Sequence, residues 1–444
     1  MPSGKHCIAV DDLLNTPPSG FQICFGADIC VKERTLSKIF GWLAGLKNKK
    51  IDSLLVGLSF GHAFTDWYTG TLYIVLPYIA KDLGLTYSQV GILMGWNSFS
   101  SFFVNMPGGF IVDTVGKTRL LLGMALALTG LPYFILGFSS SYVMAIAVVT
   151  FVGIGTNLWH PAAMSFLAKR YPDRKGYAMA MHVMGGNMGN SLAPLAIGVA
   201  LTFFTWRQVL FLNCLPGLVM GLVVWLLLAK AGSVITETRG KTISVKEYWV
   251  AVKTMFQNRN ILLLCTMAGI RSMTSQGLLT FLPIYLVYDL KYSPALVGIY
   301  LTVMRVAGIC ASPFTGTISD KKGRRPILTG GLLLTSVLLV VLITFRWNYL
   351  FIVVLAVLGF FLFSLQPVML AWMMDLAPKN IGGTTISSLF GIQSLFASIA
   401  PPVCGFIADR FGILYSFYFM AATIFAANFL AYLIPEKRRQ EEEA

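Results

Sequence analysis

Gly109-Phe110-Ile111-Val112-Asp113, followed by Gly116, returns as Gly316-Thr317-Ile318-Ser319-Asp320 followed by Gly323, a displacement of 207 residues. The same displacement carries Ser191-Leu192-Ala193-Pro194 and Gly198 onto Ser398-Ile399-Ala400-Pro401 and Gly405. It also carries Asp82-Leu83 onto Asp289-Leu290, and Val90-Gly91 onto Val297-Gly298. One register held at separate anchor points marks an internal repeat. The chain reads as two copies of one unit.

Composition says what kind of unit. Hydrophobic residues make up 56% and charged residues 12%, with a mean hydropathy of +0.71. A soluble domain is about a quarter charged, so a water-soluble fold is excluded. Continuous apolar runs of about 20 residues, the length that crosses a bilayer, fill most of the sequence from Asp52 to Pro435. Twelve spans are predicted, at 53–80, 87–112, 118–138, 142–167, 175–202, 206–229, 260–287, 293–318, 326–345, 348–374, 382–408 and 412–434. The runs do not alternate, which rules out a membrane β-barrel. The expected fold is an all-α membrane protein of two pseudo-symmetric six-helix bundles, at 51–230 and 260–435. Duplicated membrane units of this kind belong to alternating-access transport.

The net charge of +15 is a topology signal rather than a nucleic-acid footprint. Of 34 Lys and Arg, 27 fall on the side holding both termini, 5 on the other and 2 inside spans. The positive-inside rule then puts both termini in the cytoplasm, with the excess charge facing anionic lipid headgroups. Within the N-terminal extension, 1–50, Ile39, Phe40, Trp42, Leu43 and Leu46 share a helical face opposed by Lys38, Lys47, Lys49 and Lys50. That predicts a basic amphipathic helix at 36–50 on the inner membrane surface; a solvated linker stays open as the alternative. A polar, basic inter-lobe loop at 231–259, with a short helix near Ser244–Phe256, tethers the halves, and 436–444 forms a cytoplasmic tail. Cys7, Cys24, Cys30, Cys214, Cys265, Cys310 and Cys404 show no metal-ligand spacing, and three lie in the tail assigned to a reducing compartment. Neither a disulfide nor a metal site is expected. No glycine loop followed by Lys and Ser or Thr is present, which argues against ATP-driven pumping. No enzyme activity and no cofactor are expected, the proton gradient being the driving force.

Gly109, Asp113, Gly116, Lys117 and Arg119 form a short turn after the second span, and Gly316, Asp320, Gly323, Arg324 and Arg325 repeat it. Glycine allows close helix approach, and an aspartate at a helix end accepts from neighbouring N–H groups and basic side chains. This set is assigned to a cytoplasmic gate, with Asp375 near it. The turn resembles the loop signature of the major facilitator superfamily. His62-x-x-x-Asp66 in the first span, Trp159-His160-Pro161 after Gly153-x-Gly155, and Gly185-Gly186-Asn187 in the fifth occur together. That constellation resembles the superfamily's fosmidomycin-resistance branch, which implies a proton-driven exporter. Ala162 stands where the branch carries Glu after His-Pro, and Val148 where drug-exporting branches carry Arg.

Few ionisable groups lie at mid-depth, where each costs about 2.5–3.5 kcal/mol on insertion scales. Asp66 and His62 sit one turn apart in the first span, Arg271 in the seventh and Arg305 in the eighth. Asp66, with His62 and His160, is assigned to proton coupling. Arg271, Arg305, Asn187, Gln276 and Gln366 are assigned to a small organic, anionic solute. A permanent ion pair bracing the bundle, and a packed rather than relaying His160 or His182, remain the bland alternatives. Trp67, Tyr68, Trp96, Asn97 and Trp372 are further cavity candidates. The expected function is proton-coupled export by a monomer of the plasma membrane. Proton-coupled uptake of an organic acid, or a non-transporting sensor or scaffold docking through 36–50, are the rivals.

Overall fold

Capping chemistry sets where several helices begin in the computed structural model, which describes residues 23–24, 30–31, 52–230, 245–345, 350–376 and 382–434. Two compact units are present, Met1–Asp52 and Ser53–Ala444. In the first, β1 (Ile23–Cys24) pairs antiparallel with β2 (Cys30–Val31), Cys24 opposite Cys30. The helix predicted at 36–50, the loop segment 231–244 and the tail 436–444 lie outside the described residues.

The second unit is helical. Its first half runs α1 (Ser53–Asp82), α2 (Tyr87–Asn105), α3 (Gly108–Val115), α4 (Thr118–Gly137), α5 (Tyr142–Arg170), α6 (Lys175–Ala200) and α7 (Trp206–Lys230). A connecting helix, α8 (Val245–Gln257), matches the short one expected there. Then come α9 (Arg259–Tyr288), α10 (Pro294–Lys322), α11 (Arg324–Thr344), α12 (Leu350–Leu376), α13 (Gly382–Phe411) and α14 (Ile413–Tyr432). Eight of these, α4, α5, α7 and α10 to α14, are long and apolar enough to cross a membrane. Large apolar side chains such as Val143, Phe203 and Phe314 stay exposed on the outside of the unit, as lipid solvation permits.

Thr86 and Gln89 close a reciprocal capping box at the start of α2, with Thr86 N–H donating to Gln89 Oε1 at 2.9 Å. Ser293 caps α10, with Pro294 in its first turn, where a missing N–H costs nothing. The repeat extends to the backbone. Gly116 (φ 62°) and Gly323 (φ 94°) both end a helix with positive φ, and Gly84 (φ 61°) is matched 207 residues on by Lys291 (φ 57°), the one non-glycine with positive φ among the described residues.

One difference from the sequence reading is local. The span predicted as 87–112 divides into α2 and α3 at Met106-Pro107, where proline lacks the N–H that continues the ladder. Its counterpart α10 carries its proline one residue earlier, Pro313, with Phe314 at the position matching Pro107, and runs unbroken.

Close backbone approach orders the packing. A Cβ at Gly185 would strike the Ser59 carbonyl and one at Gly189 the Ala63 carbonyl, so α6 lies directly on α1 through a Gly-x-x-x-Gly pair. Extensive contacts also join α2 to α13 and α6 to α10, linking the two halves.

Candidate functional site

A cavity of about 320 Å³ lies between the halves, lined by α1, α2, α5, α6, α9 and α13. That volume suits a small organic solute. The wall is polar: Asn97, Ser98, Ser101 and Asn105 from α2, Thr156 and Asn157 from α5, Asn190 from α6, Ser272, Ser275 and Gln276 from α9, Gln393 and Ser394 from α13. Asp66, His160 and the Tyr73 phenol are its titratable groups among the described residues.

His62 and Asp66 share a face of α1 because they are four residues apart. His62 is buried, and its Nδ1 lies 2.7 Å from the His182 carbonyl. A carbonyl only accepts, so Nδ1 carries a proton and donates to it. His62 Nε2 faces Asp66 Oδ2 at 3.6 Å, while His160 Nε2 stands 4.0 Å from Asp66 Oδ1. The His62 ring stacks on His182 at 4.1 Å and meets His160 edge-on at 4.9 Å. His62 and His160, from two helices, thus flank one carboxylate, with His182 from a third stacked on His62.

Gly186 makes the room. A Cβ there would lie 2.5 Å from the His62 imidazole and 2.8 Å from Asp66 Oδ2. Gly186→Ala is therefore expected to push His62 off the His182 carbonyl. The cost is about 1–3 kcal/mol, typical of overpacking, read as a lowered Tm in detergent. An unchanged Tm would show that the ring has free space beside it.

Arg271 stands behind the wall rather than on it. It is 6% exposed and donates to the Leu362 carbonyl at 3.1 Å and to Gln366 Oε1. Gln366 Nε2 in turn donates to Gln393 Oε1 at 3.0 Å, and Gln393 reaches the cavity. Arg305 places its guanidinium 4.6 Å from the Phe363 ring centre, within electrostatic reach of Asp66 and Tyr73. Neither arginine forms an ion pair among the described residues.

Of the residues assigned from sequence, Asp66, His160 and Gln276 line the cavity, with His62 directly behind Asp66. Asn187 does not; Asn190, one turn on, takes that place. Among the further candidates, Asn97 lines it, whereas Trp67 and Tyr68 are tied to α7 through Asn213. Trp372 is buried, and Trp96 donates to Thr150. Sequence reasoning missed an amide-hydroxyl chain: Asn105 Nδ2 donates to Asn157 Oδ1 (2.8 Å) and to Ser394 Oγ (2.9 Å), and Asn157 to Ser101 Oγ (2.8 Å). Five Ser and Asn within Asn97–Asn105 were its signal.

At the end of the unit carrying the α1–α2 turn, the halves are tightly joined. Tyr87 N–H and Ser88 N–H donate to the two Asp409 carboxylate oxygens at 2.9 and 2.8 Å. Tyr288 OH donates to the Pro77 carbonyl at 2.6 Å. A Cβ at Gly91 would strike the Pro401 carbonyl, and one at Gly298 the Pro194 carbonyl. At the opposite end, Arg324 pairs with Asp320 and with Asp375 at 3.2 Å, and donates to Ser319 Oγ at 2.8 Å, all within the second half. Arg325 donates to the Ile434 carbonyl, and Arg119 stacks over Trp225 at 4.0 Å. Gly116, Lys117 and Gly316 belong to the exposed turns of this end or the helix leading to them. Gly109 and Asp113 fall in α3, with side chains outside the described set.

Comparison with known proteins agrees with this architecture. The Major Facilitator Superfamily profile matches residues 58–285 and 264–444. The fosmidomycin resistance protein of Escherichia coli is 22% identical over 403 residues, covering 87% of this chain and 94% of that one. The cis,cis-muconate transport protein of Acinetobacter baylyi is 24% identical over 380 residues, covering 82% and 90%. Among solved structures, an inward-facing, occupied bacterial homologue of the human lysosomal transporter Spinster superposes with a TM-score of 0.70 at 16% identity, covering 86% of this chain and 96% of that one. A peptide transporter, POT, in complex with sulfate also gives 0.70 at 16%, covering 87% and 95%. A profile spanning nearly all of the helical unit, on a fold shared with solved transporters, shows that this chain is an integral multi-pass membrane protein belonging to the Major Facilitator Superfamily.

Proposed function

We propose that the protein is a secondary active transporter that exports a small organic anion across the plasma membrane in exchange for protons, by alternating access. The observation that carries this reading is Asp66 on the cavity wall, flanked by His62 and His160. A carboxylate beside imidazoles can accept a proton from one side and release it to the other. Arg271 and Arg305 supply positive charge at the same depth, and the amides and hydroxyls of the wall can orient an anion. The relatives named for fosmidomycin resistance and cis,cis-muconate transport support export and an organic anion respectively.

The membrane arrangement follows from the same lining. The long helices outside the eight apolar ones are α1, α2, α6 and α9, and all four line the cavity. Polar lining side chains lower their hydropathy, so all twelve long helices are read as spans, in six-helix bundles at 51–230 and 260–435. The Lys and Arg bias puts both termini, the extension 1–50, the loop 231–259 and the tail 436–444 on the cytoplasmic side. The joined α1–α2 end then faces outward, and the cavity is open toward the cytoplasm. In the opposite state, the turns carrying Asp113 and Arg119 and those carrying Asp320, Arg324 and Arg325 close the inner face.

Purified protein in liposomes with an imposed pH gradient, offered a panel of carboxylates and phosphonates, tests this. One anion class is expected to move against the gradient's direction of proton flow, with loss of movement on adding a protonophore. A panel that moves in neither direction would favour a sensor or scaffold. Deleting 1–50 is expected to leave flux intact.

A further inference from the structure

We infer that His62, Asp66 and His160 form a binding site for a divalent transition-metal ion of the Zn²⁺, Co²⁺ or Ni²⁺ class on the cavity wall. This goes beyond proton coupling and does not depend on it. It also departs from the absence of metal expected from cysteine spacing, because these ligands come from helices far apart in sequence.

The first argument is convergence. With Nδ1 directed at the His182 carbonyl, the buried His62 Nε2 is turned toward Asp66 Oδ2 and has no hydrogen-bond partner among the described residues. The Asp66 carboxylate and the two imidazole nitrogens bring three ligand atoms close enough to hold one cation. The spacing favours an ion. A shared proton draws heavy atoms to about 2.7 Å, whereas a tetrahedral ion with bonds near 2.1 Å separates its ligands by about 3.4 Å. The observed separations are 3.6 Å (His62 to Asp66) and 4.0 Å (His160 to Asp66), and all three ligand atoms lie within 4.8 Å of one another.

The surroundings fit as well. An imidazole whose Nδ1–H is held by a backbone carbonyl has its tautomer and ring angle set for coordination through Nε2. Two imidazoles with one carboxylate select borderline transition metals over Mg²⁺ or Ca²⁺, which take oxygen ligands. Gly186 lets the His62 ring and the Asp66 carboxylate pack directly against α6, in space that any side chain would take from them. Asp66 and His160 border the cavity, so a fourth coordination position faces it, open to water or to an oxygen of an anionic solute.

The test uses the full chain in detergent, freed of its affinity tag and stripped with chelator, titrated with Co²⁺. One equivalent is expected to bind with the visible d–d bands of tetrahedral cobalt, which Zn²⁺ then displaces. His160→Ala and Asp66→Asn, checked for unchanged helical circular dichroism, are expected to lose the bands and weaken Zn²⁺ binding at least about tenfold. His6→Ala is expected to keep them. Wild-type protein that shows no bands at saturating Co²⁺ overturns the site, as do bands that persist in His160→Ala. Either result leaves gradient-driven flux, measured with chelator present, as a separate question.

Discussion

Asp66→Asn is expected to reduce pH-gradient-driven flux in liposomes to background while the protein still folds and still exchanges solute across the membrane without a gradient. The substitution keeps the shape of the side chain and removes the carboxylate that faces His62 at 3.6 Å and His160 at 4.0 Å. It also relieves the cost of a mid-bilayer charge, about 2.5–3.5 kcal/mol on insertion scales, so lost activity would not reflect a destabilised bundle. Exchange persists because rocking with bound solute needs no net proton movement. The flux assay carries a chelator, so that metal at the same residues plays no part. Unchanged gradient-driven flux in Asp66→Asn would remove Asp66 from the coupling role.

Gly91→Trp combined with Gly298→Trp is expected to abolish transport by a different route, holding the α1–α2 end apart. Both glycines are points where the halves touch backbone to backbone, Gly91 against Pro401 and Gly298 against Pro194. A side chain at either position cannot be accommodated with that end closed. Each costs the closed state about 1–3 kcal/mol or more, so the pair shifts the balance by about thirtyfold at least. The open state carries no such penalty, and the fold survives. Spin labels on exposed Lys81 and Arg410, at the ends of α1 and α13, should report a longer distance in the double variant, with flux at background. An unchanged distance distribution with normal flux would mean that the two glycines do not govern closure.

Legibility from sequence tracked how local each feature is. The spans expected at 53–80, 142–167 and 260–287 are the helices Ser53–Asp82, Tyr142–Arg170 and Arg259–Tyr288, because apolar length is a property of the chain itself. The His62–Asp66 pair was readable for the same reason, from four-residue spacing on one helix. Asn187 was assigned to the wall that Asn190 lines because composition along α6 does not reveal its rotation. That rotation follows from Gly185 and Gly189 meeting Ser59 and Ala63, which only the packed helices disclose. Arg271 was recognisable as a mid-depth charge, yet its position behind Gln366 and Gln393 depends on how α9, α12 and α13 nest.

The amino-acid order alone determined the duplicated unit and the charge asymmetry, which need only positions along the chain, and the helix lengths and the pairing of His62 with Asp66, which arise from neighbours within a few turns. Tertiary packing alone decided that His160 and His182 converge on that pair, that Arg271 stands behind the wall, and that Gly91 and Gly298 join the halves. The reason is physical: contacts between distant helices depend on their rotation and depth, and those are set by where glycine lets one backbone reach another.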